Sequence, residues 1–158
     1  MTREKKQELT RKITQANKTE LIEILYEMIL CYLEDAGEAH ASGSRAEYRD
    51  AIRKMRGCFN ELLASLNLEY ELAVRLLQLY LYCNRELALA DVKNDHTHLE
   101  HIYGVISKLQ AAYQELARMD TSGPVMQNSQ VVYAGLTYGR GELTENMTDQ
   151  GMNRGVLA

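Results

Sequence analysis

Apolar residues recur every three or four positions through most of the chain, which is the spacing of helices that bury one face. The pattern predicts four helices separated by short breaks. The first is expected to begin at Asn17, whose side chain can cap free backbone amides while Glu20 reaches back in a capping box, and to end near Ala41. Ser44 and Glu47 form the same signature before the second helix.

The last two helices are expected at about residues 68–93 and from Asp95 onwards. Apolar positions on a shared face predict the core stripes of three helices. The stripe of the first helix is Leu21, Leu25, Met28 and Tyr32, and that of the second is Tyr48, Ile52, Met55, Phe59, Leu62 and Leu66. The stripe of the fourth helix is Leu99, Ile102, Ile106, Leu109, Tyr113 and Leu116. Long helices joined by short breaks pack as antiparallel neighbours. The sequence therefore predicts an all-α, antiparallel up-and-down four-helix bundle with a short N-terminal amphipathic segment and an irregular C-terminal tail.

The third helix is apolar around most of its circumference. At about 100° per residue, its core side is expected to hold Leu76, Leu79, Tyr80, Cys83 and Leu87. An outer apolar side remains, so the helix needs a further partner. The residues that we expect to contact a partner are Val74, Leu77, Leu81, Tyr82, Ala88 and Leu89 on this helix, together with Tyr26 and Leu33 off the main stripe of the first helix.

The composition fits one globular domain with terminal segments, since 46% of the 158 residues are hydrophobic and 25% are charged. We divide the chain into an N-terminal cap segment (1–16), the helical bundle (17–119) and a glycine-rich flexible tail (120–158). The net charge of −4 gives no general attraction to nucleic acid or anionic membrane.

The compartment is indicated by the cysteines and by the hydropathy of the chain. Cys31, Cys58 and Cys83 are few, far apart and on apolar helices, so we expect buried, reduced thiols. No run reaches the ~20 apolar residues that span a bilayer. A cytoplasmic protein that inserts into no membrane is expected.

Both terminal segments are candidates to cover the outer side of the third helix. Leu9 and Ile13 lie four positions apart in an otherwise polar stretch, which predicts either a short amphipathic turn or solvated disorder. Tyr133, Leu136 and Tyr138 lie in the tail, where the surrounding glycines disfavour a helix. Our hypothesis is that they dock on the bundle and compete with a partner, and disorder is the alternative.

Two clusters of polar residues are expected to be structural. The basic residues of the second helix, opposite an acidic first helix, predict surface pairing rather than a binding patch; they are Arg45, Arg49, Arg53, Lys54 and Arg56. His96, His98 and His101 raise the question of a metal, but they lie at a helix start with no carboxylate ladder facing them. We expect solvated imidazoles, no metal, no cofactor and no enzymatic activity.

Two stretches resemble the flagellin export chaperones of the FliS family. The stretch ANKTELIEILYEMI (residues 16–29) approximates the family's small residue, cap, Glu-Leu and Leu-Tyr pattern. The family's Leu-Tyr-x-Tyr, with a following Leu, Ala and Asp, is matched in the third helix by Leu79, Tyr80, Tyr82, Leu87, Ala90 and Asp95. The resemblance covers about residues 13–118.

The sequence also departs from this family in several places. Asp91 replaces the usual Asn, and Tyr113 stands where Trp is common. The Gly-Gly before the third helix is missing, and no tyrosine precedes Tyr26. These differences are those of a divergent member.

The resemblance implies a non-catalytic chaperone that holds the C-terminal region of flagellin in apolar grooves and prevents polymerisation before export. It also implies that the N-terminal segment can occupy this surface when flagellin is absent. Other components of flagellar export are further expected partners, and the chain is expected to be a monomer or a weak homodimer. The alternative is an adaptor or regulatory bundle with a partner other than flagellin.

Overall fold

The computed structural model describes residues 1–126, which form five α-helices and no strand. The helices are α1 (Arg3–Gln15), α2 (Lys18–Ala41), α3 (Arg45–Ala64), α4 (Glu71–Lys93) and α5 (Thr97–Met119). The all-α prediction is confirmed, and α2 to α5 are the four helices predicted from the apolar pattern. Within the described part of the chain, no helix is long and apolar enough to cross a membrane.

The helix ends follow local side-chain chemistry. Asn17 caps α2 as predicted, because its Oδ1 accepts a hydrogen bond from the Glu20 N–H at 2.9 Å. Ser44 occupies the N-cap position of α3, but its side chain makes no capping hydrogen bond, so that part of the prediction is wrong. Asn94 ends α4 in the left-handed conformation (φ 51°), one of the few residues that tolerate it.

The helix α2 has more neighbours than a helix that buries only one apolar stripe. It packs against α1, α3 and α5, whereas α4 packs against α3 and α5. The predicted α2 stripe is consequently misplaced, since Leu21, Leu25 and Met28 are only half-buried. The side chains that are buried around α2 are Ile24, Tyr26, Ile29, Tyr32, Leu33, Ala36 and Ala39. Three neighbours, rather than one, explain why so much of its circumference is buried.

The core between the other helices follows the predicted stripes more closely. All predicted α3 positions are buried except the half-buried Leu66. On α5 the burial fades along the helix, from the buried Leu99, Ile102 and Ile106 to the exposed Leu116. On α4 the assignment of Leu79 to the core is wrong, because its side chain is 37% exposed.

The cysteines are free thiols, with Cys58 and Cys83 buried and Cys31 half-buried. Burial raises the pKa of the Cys58 thiol to about 11 and that of Cys83 to about 12. Both thiols are therefore protonated near neutral pH and have little nucleophilic character.

The charged residues of α3 do not pair with the glutamates of α2 as expected. Arg45 and Arg49 instead bind Asp91 of α4, while Arg53 and Lys54 pair with Asp50 on their own helix. Of the acidic side of α2, Glu27 faces α1, where it accepts from Lys5 at 2.6 Å and from Lys12 at 3.1 Å. These pairs are partly or fully solvated, so each contributes little to stability.

Residues 120–125 are held against the junction between α1 and α2. The Val125 N–H donates to the Ala16 carbonyl at 3.0 Å, and the Thr19 hydroxyl donates to Asp120 Oδ2 at 2.6 Å. The buried Asn17 side chain also donates to the carbonyls of Asp120 and Ser122, each at 3.5 Å. The segment that we assigned to a flexible tail thus begins with residues that contact the fold.

A pair of buried tyrosines joins α2 to α4. The hydroxyl groups of Tyr26 and Tyr80 are hydrogen-bonded to each other, and the Tyr26 ring also contacts the edge of Tyr113 at a centroid distance of 5.4 Å. Burial raises the pKa of both hydroxyls, that of Tyr80 to about 12. Each hydroxyl is therefore a neutral group whose hydrogen-bonding partner is the other.

Tyr26→Phe is expected to lower the free energy of unfolding by about 1–3 kcal/mol, because it leaves the Tyr80 hydroxyl buried without its partner. The double variant Y26F/Y80F removes both hydroxyls and should cost less than Y26F alone. Urea denaturation of the wild type, both single variants and the double variant measures this difference. Additive losses in the double variant would show that the two hydroxyls are not coupled.

Candidate partner-binding surface

One side of α4 carries a stripe of mostly exposed apolar residues, which the polar Asn84 and Arg85 interrupt for one turn. At 100° per residue, its members fall within about 60° of one another; they are Val74, Leu77, Leu81, Ala88 and Val92. Leu77 is half-buried and the others are exposed. We call this set the α4 stripe. Its length of more than four turns distinguishes it from isolated exposed hydrophobic residues, which are common on protein surfaces.

The α3 side of the α4 stripe is basic. Asp91 projects from α4 towards α3, where its Oδ1 lies 3.0 Å from Arg49 Nε and 3.3 Å from Arg45 Nη2. Arg56 lies two turns beyond Arg49 on the same face of α3 and is exposed. Three arginines of α3 therefore lie on the side of this helix that is next to α4, and two of them are paired with Asp91.

The opposite edge of α4 is also apolar. Leu72 and Leu79 are exposed and Tyr82 is half-buried. This edge faces α5, because Glu86 on the same side contacts His98 and His101. The strip between the two flanks, which includes Leu76, Tyr80, Cys83 and Leu87, is buried, so α4 presents accessible apolar side chains on both of its flanks.

The structure places most of the predicted contact residues on accessible parts of α4. Val74, Leu81, Ala88 and Leu89 are exposed, and Leu77 and Tyr82 are half-buried. Leu89 does not belong to the α4 stripe, because it lies farther around the helix on the side that faces away from the core. The sequence separated these positions correctly from the buried Leu76, Tyr80, Cys83 and Leu87.

The two predicted contact residues of α2 lie elsewhere. Tyr26 has no exposed surface, and Leu33 is also buried. The expectation that they lie on an accessible surface is wrong, because α2 is enclosed by three helices. Leu33 does border a shallow groove between α2 and α5, whose rim includes Leu30 and the exposed Tyr103.

The N-terminal segment forms more regular structure than either a short amphipathic turn or solvated disorder, the two alternatives that the sequence left open. Leu9 is buried and Ile13 is half-buried, and with Ala16 they pack against Ile24 and its neighbours on α2. The segment thus forms a full helix, α1, that covers α2 rather than α4. Tyr133, Leu136 and Tyr138, the proposed docking residues of the tail, lie outside the described residues.

Three polar side chains converge between α4 and α5. His98 Nδ1 lies 2.9 Å, and His101 Nδ1 2.7 Å, from Oε2 of the buried Glu86. Desolvation acts to raise the Glu86 pKa, but the hydrogen bonds from His101 and His98 outweigh it, so the pKa lies below its usual value. Sequence reasoning placed no carboxylate ladder against these histidines and missed the single carboxylate of Glu86; the expectation that His98 is solvated is wrong. Glu86, His98 and His101 could together hold a metal ion.

Sequence reasoning missed several exposed apolar residues of the candidate surface. Val92 extends the α4 stripe by one turn, and its spacing of four from Ala88 was a usable signal. Leu79 was assigned to the core side, and the exposed Leu72 and Tyr103 were not among the expected contact residues. Their exposure depends on how far α5 reaches across α4, which helical spacing does not determine.

The family is shown by comparison with models of known protein families. The model described as "Flagellar protein FliS" matches residues 1–120, which include all five helices and the α4 stripe. No curated protein matches the chain in a comparison of sequences. Since the family match covers well over half of the 158 residues, the chain belongs to the FliS family.

Proposed function

We propose that this FliS-family chain binds the C-terminal region of flagellin in the cytoplasm and keeps it from polymerising before export. Membership of the family makes the chain a flagellar export chaperone, in a family that is not enzymatic and that binds flagellin in general. The finer proposal concerns the segment that is bound and the surface that binds it. The observation that carries it is the α4 stripe, which is too long and too apolar to be left exposed without a partner.

The arrangement of the helices supports a binding platform. We propose that α2 to α5 form an antiparallel up-and-down bundle, because consecutive helices are joined by short connections and α4 contacts both α3 and α5. In such a bundle α4 lies across from α2, the helix covered by α1. The flank of α4 that carries the stripe is then left for another chain.

The chemistry of the surface formed by α3 and the α4 stripe favours an amphipathic segment. Its apolar residues would lie on Val74, Leu77 and Leu81, as in helix-in-groove recognition. Acidic residues beside them would face Arg56, which is exposed, and Arg49, which is also paired with Asp91. Ordering a disordered segment costs part of the energy gained from apolar burial, which gives an affinity compatible with later release.

Calorimetry with the C-terminal segment of the host's flagellin tests this function. We expect binding with a strongly negative heat-capacity change, because the interface buries apolar surface. A segment from the N-terminal region of the same flagellin is the control. Absence of binding by the C-terminal segment would contradict the proposal and favour the alternative, an adaptor with another partner such as a different component of flagellar export.

The same calorimetric experiment can be repeated with a shortened chain that ends at residue 126. If Tyr133, Leu136 and Tyr138 compete with flagellin, this shortened chain should bind flagellin more tightly than the full chain. Equal affinities would exclude competition by the tail. The shortened chain keeps residues 120–125, whose contacts at the α1–α2 junction belong to the fold.

A further inference from the structure

Glu86 is an unusual residue for the interior of a helical protein. It is 8% exposed, and it is the one carboxylate among the fully buried residues of the described chain. Its Oε2 is contacted by two imidazoles from α5, His98 and His101, both through Nδ1. A buried carboxylate normally needs a charge partner, and the partners here are side chains that also bind metals.

We propose that Glu86, His98 and His101 form a binding site for one divalent ion of the zinc class. Two imidazole nitrogens and one carboxylate oxygen are a ligand set that Zn²⁺ takes in proteins, with water as the fourth ligand. The borderline-soft nitrogen donors favour zinc, cobalt or nickel over magnesium and calcium, which prefer oxygen ligands.

The spacing of the ligand atoms fits such an ion closely. The two Nδ1 atoms and Glu86 Oε2 lie within 4.8 Å of one another, and the two nitrogen–oxygen separations are 2.7 and 2.9 Å. Tetrahedral ligands at the usual zinc bond length of about 2.0–2.1 Å are about 3.3 Å apart. An ion therefore needs each nitrogen–oxygen separation to widen by about 0.5 Å, together with an adjustment of the two imidazoles, whose ligand atoms lie within 4.8 Å of each other.

The surroundings supply the remaining features of a metal site. His101 is exposed, so solvent reaches the cluster from that side and can provide the fourth ligand. On the other side, His98 Nε2 lies 3.9 Å from Asp95 Oδ2. This distance is too long for a direct hydrogen bond. The carboxylate nevertheless lies beside the second ring nitrogen, where carboxylates commonly orient metal-bound histidines.

The proposed ion would join α4 to α5 near their connection. Glu86 comes from the last third of α4, and both histidines come from the first turns of α5. The ion would therefore fix the edge of α4 that carries Leu79 and Tyr82. This site is independent of the proposed flagellin contact, since none of its ligands belongs to the α4 stripe.

Titration of the reduced, tag-free full chain with ZnCl₂ tests the site by calorimetry and by thermal unfolding. We expect one ion per chain, a raised Tm, and no comparable effect of MgCl₂. His101→Gln should weaken zinc binding by about 100-fold or more, because it removes a ligand at an exposed position without disturbing the core. His40→Gln, which changes an exposed histidine outside the cluster, should leave the zinc affinity unchanged.

Circular dichroism shows whether each variant is folded, and cobalt identifies the donor atoms. Bound Co²⁺ is expected to give d–d absorption without a thiolate charge-transfer band. A thiolate band would place the ion on a cysteine and overturn the proposal. Absence of zinc binding by the wild type, or equal affinities of the wild type and the folded H101Q variant, would also overturn it.

Discussion

Leu81→Asp is expected to weaken binding of the flagellin C-terminal segment about 10- to 100-fold. Leu81 lies in the middle of the α4 stripe and is 48% exposed, so its side chain has apolar surface left to bury against a partner. Burying a leucine contributes about 1.5–3 kcal/mol, and a carboxylate in its place would have to be desolvated as well. Calorimetric titration of the variant measures the loss.

Leu116→Asp is the matched control for this substitution. Leu116 lies on α5 and is 46% exposed, so the same chemical change is made at nearly the same exposure but outside the α4 stripe. Both variants should retain the wild-type free energy of unfolding to within about 1 kcal/mol. If both weaken flagellin binding equally, the α4 stripe is not the contact surface.

Phe59→Ala is expected to lower the free energy of unfolding by about 3–5 kcal/mol. Phe59 on α3 has no exposed surface, and its ring packs against Tyr80 of α4 at a centroid distance of 6.2 Å. Removing it leaves a cavity between the helices that support the α4 stripe. Domains are stable by only about 5–15 kcal/mol, so this loss is a large fraction of the total. Urea denaturation followed by circular dichroism measures it.

Gly57→Ala, two positions away on the same helix, should act in the opposite direction. A Cβ atom at Gly57 would meet no heavy atom within 4 Å, and the position lies in the interior of α3. Alanine there is expected to stabilise the protein by about 0.5–1 kcal/mol through its helix propensity. A loss of stability in both variants would mean that α3 does not tolerate substitution generally, and the effect of F59A could not be assigned to core packing.

Helical spacing predicted α3 best because this helix buries a single stripe. Tyr48, Ile52, Met55 and Phe59 were placed correctly from spacing alone. The same reasoning failed for α2, whose apolar residues are distributed among three neighbouring helices. Periodicity gives the direction of one apolar face, but it does not give the number of helices that share it.

Helical spacing predicted only part of the candidate surface, because it shows how wide the apolar face of α4 is but not how α4 is rotated against its neighbours. The excess apolar width of α4 is visible in the sequence, and it identified Val74, Leu81 and Leu89 as lying outside the core. The sequence does not give the rotation of α4 relative to α5, and this rotation exposes Leu79 and buries Glu86. The contact between Glu86 and the two histidines depends on the same rotation.

Asn17 makes one hydrogen bond at the start of α2 and two to the segment that follows α5, and these bonds can form at different stages of folding. Its Oδ1 caps α2 within one turn, but its amide group bonds to carbonyls 103 and 105 positions away. The local half of this bonding can form early, whereas the distant half must await the slow closure of a long loop. Until then the amide NH₂ group of Asn17 lacks its protein partners at a site that becomes buried, which penalises partly folded states. The first turn of α2 and the segment after α5 should thus open and close as one cooperative unit.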